Sequence, residues 1–269
     1  MGKTVLITGA STGIGRAAVI EYAARGWNVV ATMRDTGRAD PAFAGLHNVF
    51  VNQLDVTDSD SVDGAVKTAL ERFDAVDAVL NNAGYAQLGA VEEITPDQVR
   101  DQFETNVVGV VRVIRAVLPH MRRRGSGHIV NVGSMGGHVS LPTMAVYCAS
   151  KSALQNLTEG LARELAPLGI DVTLVEPAGY DTHFSSNSHE PANPTDAYAP
   201  AYDAMRAFAA RSVKGSLTPS IAAIADVTCS AEPPLHLAVN SFGLTMVRGR
   251  FATLMDEYAR WEHVTARTD

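Results

Sequence analysis

The sequence predicts an α/β fold, a doubly wound parallel sheet with helices on both faces, built as a single domain over residues 1–269. Three observations carry this expectation. Short, continuously apolar runs alternate with longer stretches of helical period through most of the chain. Continuous apolar strands joined by helices imply a parallel sheet covered on both sides, with right-handed crossovers. A chain of 269 residues can bury one large core and is short for two independent ones.

The elements follow in order. Val5-Leu6-Ile7 is the first apolar run, and the stretch from Gly13 to Arg25 has helical period. Val29-Val30-Ala31 and Val49-Phe50-Val51 are the next two strands. Ser59 to Arg72 reads as a helix, with Val62, Ala65, Val66, Ala69 and Leu70 on one face. Ala78-Val79-Leu80 follows as a strand. Thr95-Pro96-Asp97-Gln98 then combines a capping box with proline at the first helical position, which starts another helix. His128 to Val132 is a strand, Ala145 to Ala166 a helix, and Val172 to Val175 a further strand.

The rhythm changes after Pro177. Residues 178–200 are rich in Ser, Asn, Pro and His, and the stretch from Tyr198 to Val213 has helical character. A long irregular segment followed by an apolar helix reads as a substrate lid, here over residues 178–216. A late strand at Leu235 to Val239 and a helix from Arg250 to Val264 close the chain.

Composition narrows the function. With 46% hydrophobic and 19% charged residues the chain has the balance of an ordinary globular protein. The net charge of -7 and the lack of any Lys/Arg-rich run argue against nucleic acid, which needs a basic face. No run of about 18 apolar residues exists, so no membrane span is expected. Two cysteines, Cys148 and Cys229, are too few for a disulfide framework and fit reduced thiols. The Met-Gly-Lys-Thr start has no signal-peptide layout, so the expected location is cytoplasmic. The eight histidines show no metal-ligand spacing, and no metal site is expected. His183 and His189 are read as solvated loop residues, Cys148 as a packed side chain, and Trp27 and Trp261 as packing or interface residues.

The first strand runs into Thr8-Gly9-Ala10-Ser11-Thr12-Gly13-Ile14-Gly15. Glycine is needed where a chain turns sharply and where backbone must approach a ligand closely. The next helix begins with unpaired N–H groups and the positive end of its dipole, which suits a pyrophosphate. Gly9, Ser11, Gly13, Ile14 and Gly15 are therefore candidate dinucleotide contacts. Two other phosphate-loop or nucleophile readings fail. Gly2-Lys3-Thr4 lacks the earlier glycine of a Walker loop, and Val132-Gly133-Ser134-Met135-Gly136 has valine where a nucleophile elbow needs glycine.

The end of the second strand separates the two nicotinamide cofactors. An acidic residue there would bond the ribose 2′-hydroxyl of NAD. This chain has Met33 followed by Arg34, whose guanidinium suits a 2′-phosphate. Asp35 is the competing ribose contact. NADP(H) is favoured over NAD(H).

Tyr147 and Lys151 stand four residues apart on a predicted helix and share a face. A nearby ammonium favours phenolate, so the pair predicts a tyrosine tuned toward neutral pH as acid or base. Ser134, at the end of a strand, could bond a substrate oxygen.

Together with Asn81-Asn82-Ala83-Gly84, Asn106 in Thr-Asn-Val-Val-Gly, and Tyr147-Cys148-Ala149-Ser150-Lys151, the glycine loop makes the chain resemble the short-chain dehydrogenase/reductase family. The resemblance covers most of residues 3–185. It implies a Rossmann-type fold and hydride transfer between a nicotinamide and a small-molecule carbonyl or alcohol. Asn106, Ser134, Tyr147 and Lys151 would be catalytic, with Asn106 holding a water in a proton relay through Lys151. Asp55, with Val56 beside it, would meet the adenine. Asn81, Ala83 and Gly84 would flank the cofactor, and Tyr147 and Lys151 would also contact it. Pro177 and Thr182 would lie at the nicotinamide end, although Ala178 stands where the family often has glycine. The Met33-Arg34 pair resembles the NADP-preferring branch that includes hydroxysteroid dehydrogenases. A homodimer or homotetramer built on helices around residues 96–122 and 145–166 is also implied. Tyr180, Phe184, Tyr198, Tyr202, Met205 and Phe208 suggest an apolar pocket wall under the lid. An NADP(H)-binding regulator without turnover, and an epimerase or dehydratase on the same scaffold, are the alternatives.

Overall fold

The computed structural model describes residues 2–180 and 188–268. Seven strands form one parallel sheet in the order β3-β2-β1-β4-β5-β6-β7. They are β1 (Thr4–Ile7), β2 (Asn28–Met33), β3 (Val49–Gln53), β4 (Ala78–Asn81), β5 (Gly127–Val132), β6 (Ile170–Glu176) and β7 (His236–Ala238). Among the described residues, eight α-helices accompany them: α1 (Gly13–Ala24), α2 (Ser59–Phe73), α3 (Pro96–Phe103), α4 (Gly109–Arg124), α5 (Ala145–Leu165), α6 (Ala199–Arg211), α7 (Leu217–Cys229) and α8 (Ser241–Thr265).

Strand alternation divides the core between the two faces of the sheet. In β1, Leu6 points to one side, with Val66 of α2, Val113 of α4 and Leu154 of α5. Val5 and Ile7 point to the other, with Tyr22 of α1 and Ile221 and Ile224 of α7. The inner strands β2, β1, β4, β5 and β6 therefore bury both faces, while the edge strands β3 and β7 are only partly covered. Burial on both sides is why the inner strands read as apolar runs. The helix starts follow side-chain chemistry. Asp58 caps α2 by accepting from the backbone N–H groups of Asp60 at 2.9 Å and Ser61 at 3.3 Å. Thr95 and Gln98 complete the expected capping box of α3.

Two features depart from the sequence reading. Helix α7 was not anticipated, although Ile221, Ile224, Ala225 and Thr228 have helical spacing and are all buried. Pro219 and the polar segment before it obscure the pattern. Helix α8 begins at Ser241, nine residues before the expected start at Arg250, with Asn240 capping Gly243 N at 3.1 Å. Glycines at 243 and 249 lower intrinsic helix propensity there and hide the start, which is set instead by the Asn240 cap and the fit of Gly243 against Ala178. Among the described residues no helix is long and apolar enough to cross a membrane.

Candidate active site

The chain order of the strands reverses between β1 and β4, which are adjacent in the sheet. Their carboxyl ends open a crevice of the kind in which parallel sheets bind ligands. The loop after β1 is braced from β4. Thr8 Oγ1 accepts the backbone N–H groups of Asn82 and Ala83, each at 3.0 Å. Asn82 Nδ2 donates to Thr8 O at 2.9 Å and Gly9 O at 3.1 Å. A Cβ on Gly15 would lie 2.5 Å from that same Nδ2 and nearer still to Gly9 O. Helix α1 therefore comes down on the loop at a separation that only glycine permits. The Thr12 side chain does not cap α1, unlike Asp58 on α2 and Thr95 on α3. The α1 end, with Ser11, Gly13 and Ile14, thus fits a pyrophosphate. Sequence reasoning placed Asn82 in its motif but gave it no task; its bracing depends on β1–β4 adjacency.

At the end of β2, Met33 is buried and Arg34 is exposed. Asp35 is committed locally, its carboxylate accepting Gly37 N–H at 2.9 Å to start a short turn. Arg34 has no hydrogen bond or ion pair among the described residues. At the end of β3, Asp55 accepts from Thr57 N at 2.9 Å and Thr57 Oγ1 at 2.8 Å, both through Oδ1. Val56 packs against Gly109 of α4.

The four proposed catalytic groups converge from three elements. Tyr147 and Lys151 sit one turn apart on α5, and both are buried. Ser134, two residues beyond β5, accepts from Gly136 N at 3.0 Å and hydrogen-bonds the Tyr147 phenol. Lys151 Nζ donates to Val132 O at 2.8 Å and lies 5.9 Å from the centre of the Tyr147 ring. Asn106 occupies a π-turn, Glu104–Val108, that carries α3 directly into α4. Such one-turn widenings recur at functional sites. The turn aims the carboxamide inward, where Oδ1 accepts from Tyr85 N at 3.2 Å. Nδ2 donates to Tyr85 O at 3.0 Å and Ser150 Oγ at 3.2 Å. Gly84 is wedged between: a Cβ there would stand 3.0 Å from Asn106 Oδ1 and 3.8 Å from Lys151 Nζ. Asn81 Nδ2 reaches Asn131 Oδ1 at 2.8 Å, and Asn131 continues to Thr158 of α5 at 3.0 Å. That chain of amides ties β4, β5 and α5 behind the site.

The electrostatics correct one expectation. Burial pushes Tyr147 up to about 12, with the Ser134 hydrogen bond pulling weakly the other way. Burial also lowers Lys151 to about 8. At this separation the ammonium does not bring the phenol toward neutrality, because desolvation outweighs it. A stability prediction follows from Lys151. Its folded value lies below the ordinary ~10.4, so between about pH 8 and that value the unfolded chain binds more protons. Stability of the cofactor-free protein should rise through that window, by on the order of 3 kcal/mol from this group. Urea midpoints measured across the window should show the rise in wild type and a flatter curve in Lys151→Met. Tyr147 acts oppositely, and only above about pH 10.

The Tyr147 surroundings are apolar. Tyr147, Cys148 and Ala86 form a small core cluster with Leu88, Leu141 and Met144 against it. Cys148 is buried as expected. Thr143, in the loop before α5, holds a φ of 58°, strained for a β-branched residue, and its carbonyl accepts Gly89 N–H at 2.8 Å. Nothing in the sequence marks it.

Three of the aromatic residues expected to line a pocket brace the structure instead. Tyr180 donates to Ser220 Oγ at 2.8 Å and Val239 O at 3.0 Å. Tyr198 and Tyr202 donate to Glu92 and Glu93, each at 2.5 Å. Their hydroxyls find partners because a half-buried phenol left unpaired costs free energy. Phe208 packs at a tilt against Phe242, with ring centres 6.0 Å apart. Thr182, His183 and Phe184 lie outside the described residues. His189 is exposed, as expected of a solvated loop residue; its backbone pairs with Ala86 and Leu88, and its ring rests on Tyr85, centre to centre 4.3 Å. Ala178 has an ordinary backbone, since its φ is not positive. Its methyl packs where Gly243 lacks a side chain; a Cβ on Gly243 would approach it to 2.9 Å. Pro177 O accepts from Met135 N at 2.9 Å, joining the end of β6 to the Ser134 turn.

A crevice at the switch point of a parallel sheet is where dinucleotide-dependent oxidoreductases bring cofactor and substrate together, and the chain falls in that class of enzyme. Residues 3–193 match the family model described as short chain dehydrogenase, and the chain belongs to that family. A short-chain dehydrogenase from Streptomyces avermitilis has the same fold with a TM-score of 0.92, 37% identity and full coverage of both chains. A short chain dehydrogenase/reductase from Burkholderia phymatum, solved in complex with NAD, gives 0.83, 30% identity and 95% coverage of each. Human 17-beta-hydroxysteroid dehydrogenase type 1 is 42% identical over 195 residues, spanning 68% of this chain and 59% of that one.

Proposed function

We propose that the chain is an NADP(H)-dependent reductase of carbonyls, or dehydrogenase of the matching secondary alcohols, acting on an apolar substrate. The observation that carries this reading is the convergence of Ser134, Tyr147, Lys151 and Asn106 beside the Gly9–Gly15 loop. The bound cofactor supplies the hydride. Ser134 Oγ holds the substrate oxygen beside the Tyr147 hydroxyl. Tyr147 gives its proton to that oxygen as the alcohol forms. A phenol held near 12 is fully protonated at neutral pH, the state that reduction requires. Lys151, with two ammonium donors beyond the one on Val132 O, is positioned to bond the nicotinamide ribose and return the proton. Asn106 stands across Gly84 from Lys151 and extends the relay.

The preference for NADP(H) rests on Arg34, which is exposed, beside Asp35, whose carboxylate is engaged by Gly37. The likeness to a hydroxysteroid dehydrogenase supports the same branch. The apolar cluster of Leu88, Leu141 and Met144 around Tyr147 supports an apolar substrate. Residues 178–216 act as its lid, pinned at His189 and at the Tyr198 and Tyr202 hydroxyls. The reading includes a cytoplasmic protein, its two cysteines unpaired. It also includes a homodimer or homotetramer through α3, α4 and α5, which a monomeric mass by light scattering would overturn.

The test is to follow NADPH absorbance with a panel of steroid, aryl and aliphatic ketones. Net, carbonyl-dependent loss of NADPH is the expected result. Tight NADPH binding with no turnover on any member would point to a regulator, and product without net cofactor change to an epimerase or dehydratase.

A further inference from the structure

We infer that His138, Glu176 and His236 form a binding site for a divalent transition-metal ion of the zinc class. The three side chains come from separate elements: the turn after Ser134, the last residue of β6, and the first of β7. The sequence shows no ligand spacing because 38 residues separate the first two and 60 the last two. The parallel pairing of β6 with β7, and the hydrogen bond of Met135 to Pro177, bring them together.

Both imidazoles aim at one carboxylate oxygen. Glu176 Oε1 is 2.5 Å from His138 Nε2 and 3.1 Å from His236 Nδ1. The candidate ligand atoms all lie within 4.8 Å of one another. Ligands on one tetrahedral zinc ion, at bond lengths of about 2.0–2.2 Å, stand roughly 3.3 Å apart. A movement of under about 1 Å at His138 would admit the ion. Two imidazoles and a carboxylate are a donor set that zinc accepts, with a fourth position left for water.

The outer contacts are those such a site requires. The other ring nitrogen of His236, Nε2, faces Glu159 Oε1 at 3.5 Å. Glu159 is steadied in turn by Gln155 Nε2 at 3.1 Å. A carboxylate behind a ligating histidine fixes its ring and raises its basicity. Phe251 walls the His138 side edge-on, with ring centres 5.5 Å apart. His138 and Glu176 are nearly closed to solvent, while His236 is 37% exposed and leaves a path for entry. An ion there clamps the turn that carries Ser134 to the strand end that leads through Pro177 into the lid. The site shares no side chain with the proposed hydride-transfer machinery and does not depend on that reading.

The experiment uses the full chain, stripped with EDTA and carrying Cys229→Ser to remove the exposed thiol. Zinc chloride is titrated by calorimetry, and Co2+ serves as a visible-absorption reporter of tetrahedral geometry. One equivalent should bind, with tetrahedral Co2+ bands, and zinc should raise the unfolding temperature. His236→Asn, at a half-open position, should abolish all three responses while its circular dichroism stays that of the parent. Glu159→Gln should weaken binding by about 10- to 100-fold. No uptake, or equal uptake by the parent and both variants, would overturn the site and leave a hydrogen-bonded His–Glu–His cluster.

Discussion

Tyr147→Phe should lower turnover by about a hundred- to ten-thousandfold and leave NADPH affinity nearly unchanged. The substitution removes one oxygen and keeps the ring. The ring is what fills the cluster with Ala86, Cys148, Leu88, Leu141 and Met144, so packing survives. What is lost is the hydroxyl bound to Ser134, the group proposed to meet the substrate oxygen. Steady-state rates on the best ketone, set against NADPH affinity by fluorescence, separate the two effects. Turnover retained in the variant would mean that another group handles the proton. A parallel loss of cofactor affinity would mean that Tyr147 shapes the nicotinamide site more than the reaction.

Arg34→Ala should weaken NADPH by about ten- to a hundredfold, the value of a charge-assisted hydrogen bond, and leave NADH affinity almost as it was. The asymmetry arises because only NADPH carries the 2′-phosphate. Arg34 is exposed and makes no competing ion pair among the described residues, so its guanidinium needs no partner exchange to bind an anion. Arg16, the next cation on α1, is already paired with Asp40. Parallel fluorescence titrations decide the matter. A wild type that binds NADH as tightly as NADPH, unaffected by Arg34→Ala, would return the ribose to Asp35.

Much of the site was legible in the chain because its chemistry lies in short, local patterns. The glycine loop must follow a strand and open a helix, and both flanks were readable from periodicity. Tyr147 and Lys151 share a face by helix geometry alone. Other features were illegible for physical reasons. Asn106 points inward because of a π-turn, and one extra residue in a helical turn leaves no signature in hydrophobic period. Tyr180, Tyr198 and Tyr202 look like pocket aromatics in sequence, but their hydroxyl partners Ser220, Glu92 and Glu93 lie far along the chain. Pro219 masked α7, and the glycines at 243 and 249 masked the first nine residues of α8, since propensity is local and the tertiary fit at those positions is not.

The sequence by itself determined the parallel α/β architecture, the glycine loop between the first strand and helix, and the residues that meet on one turn of α5. Each of these depends on contacts within a few residues, where backbone geometry converts spacing directly into position. Tertiary structure alone decided the bracing of Gly9 by Asn82, the accommodation of Ala178 by Gly243, the raised Tyr147, and the meeting of His138, Glu176 and His236. Those depend on strand adjacency and burial, which bring distant residues together and exclude water.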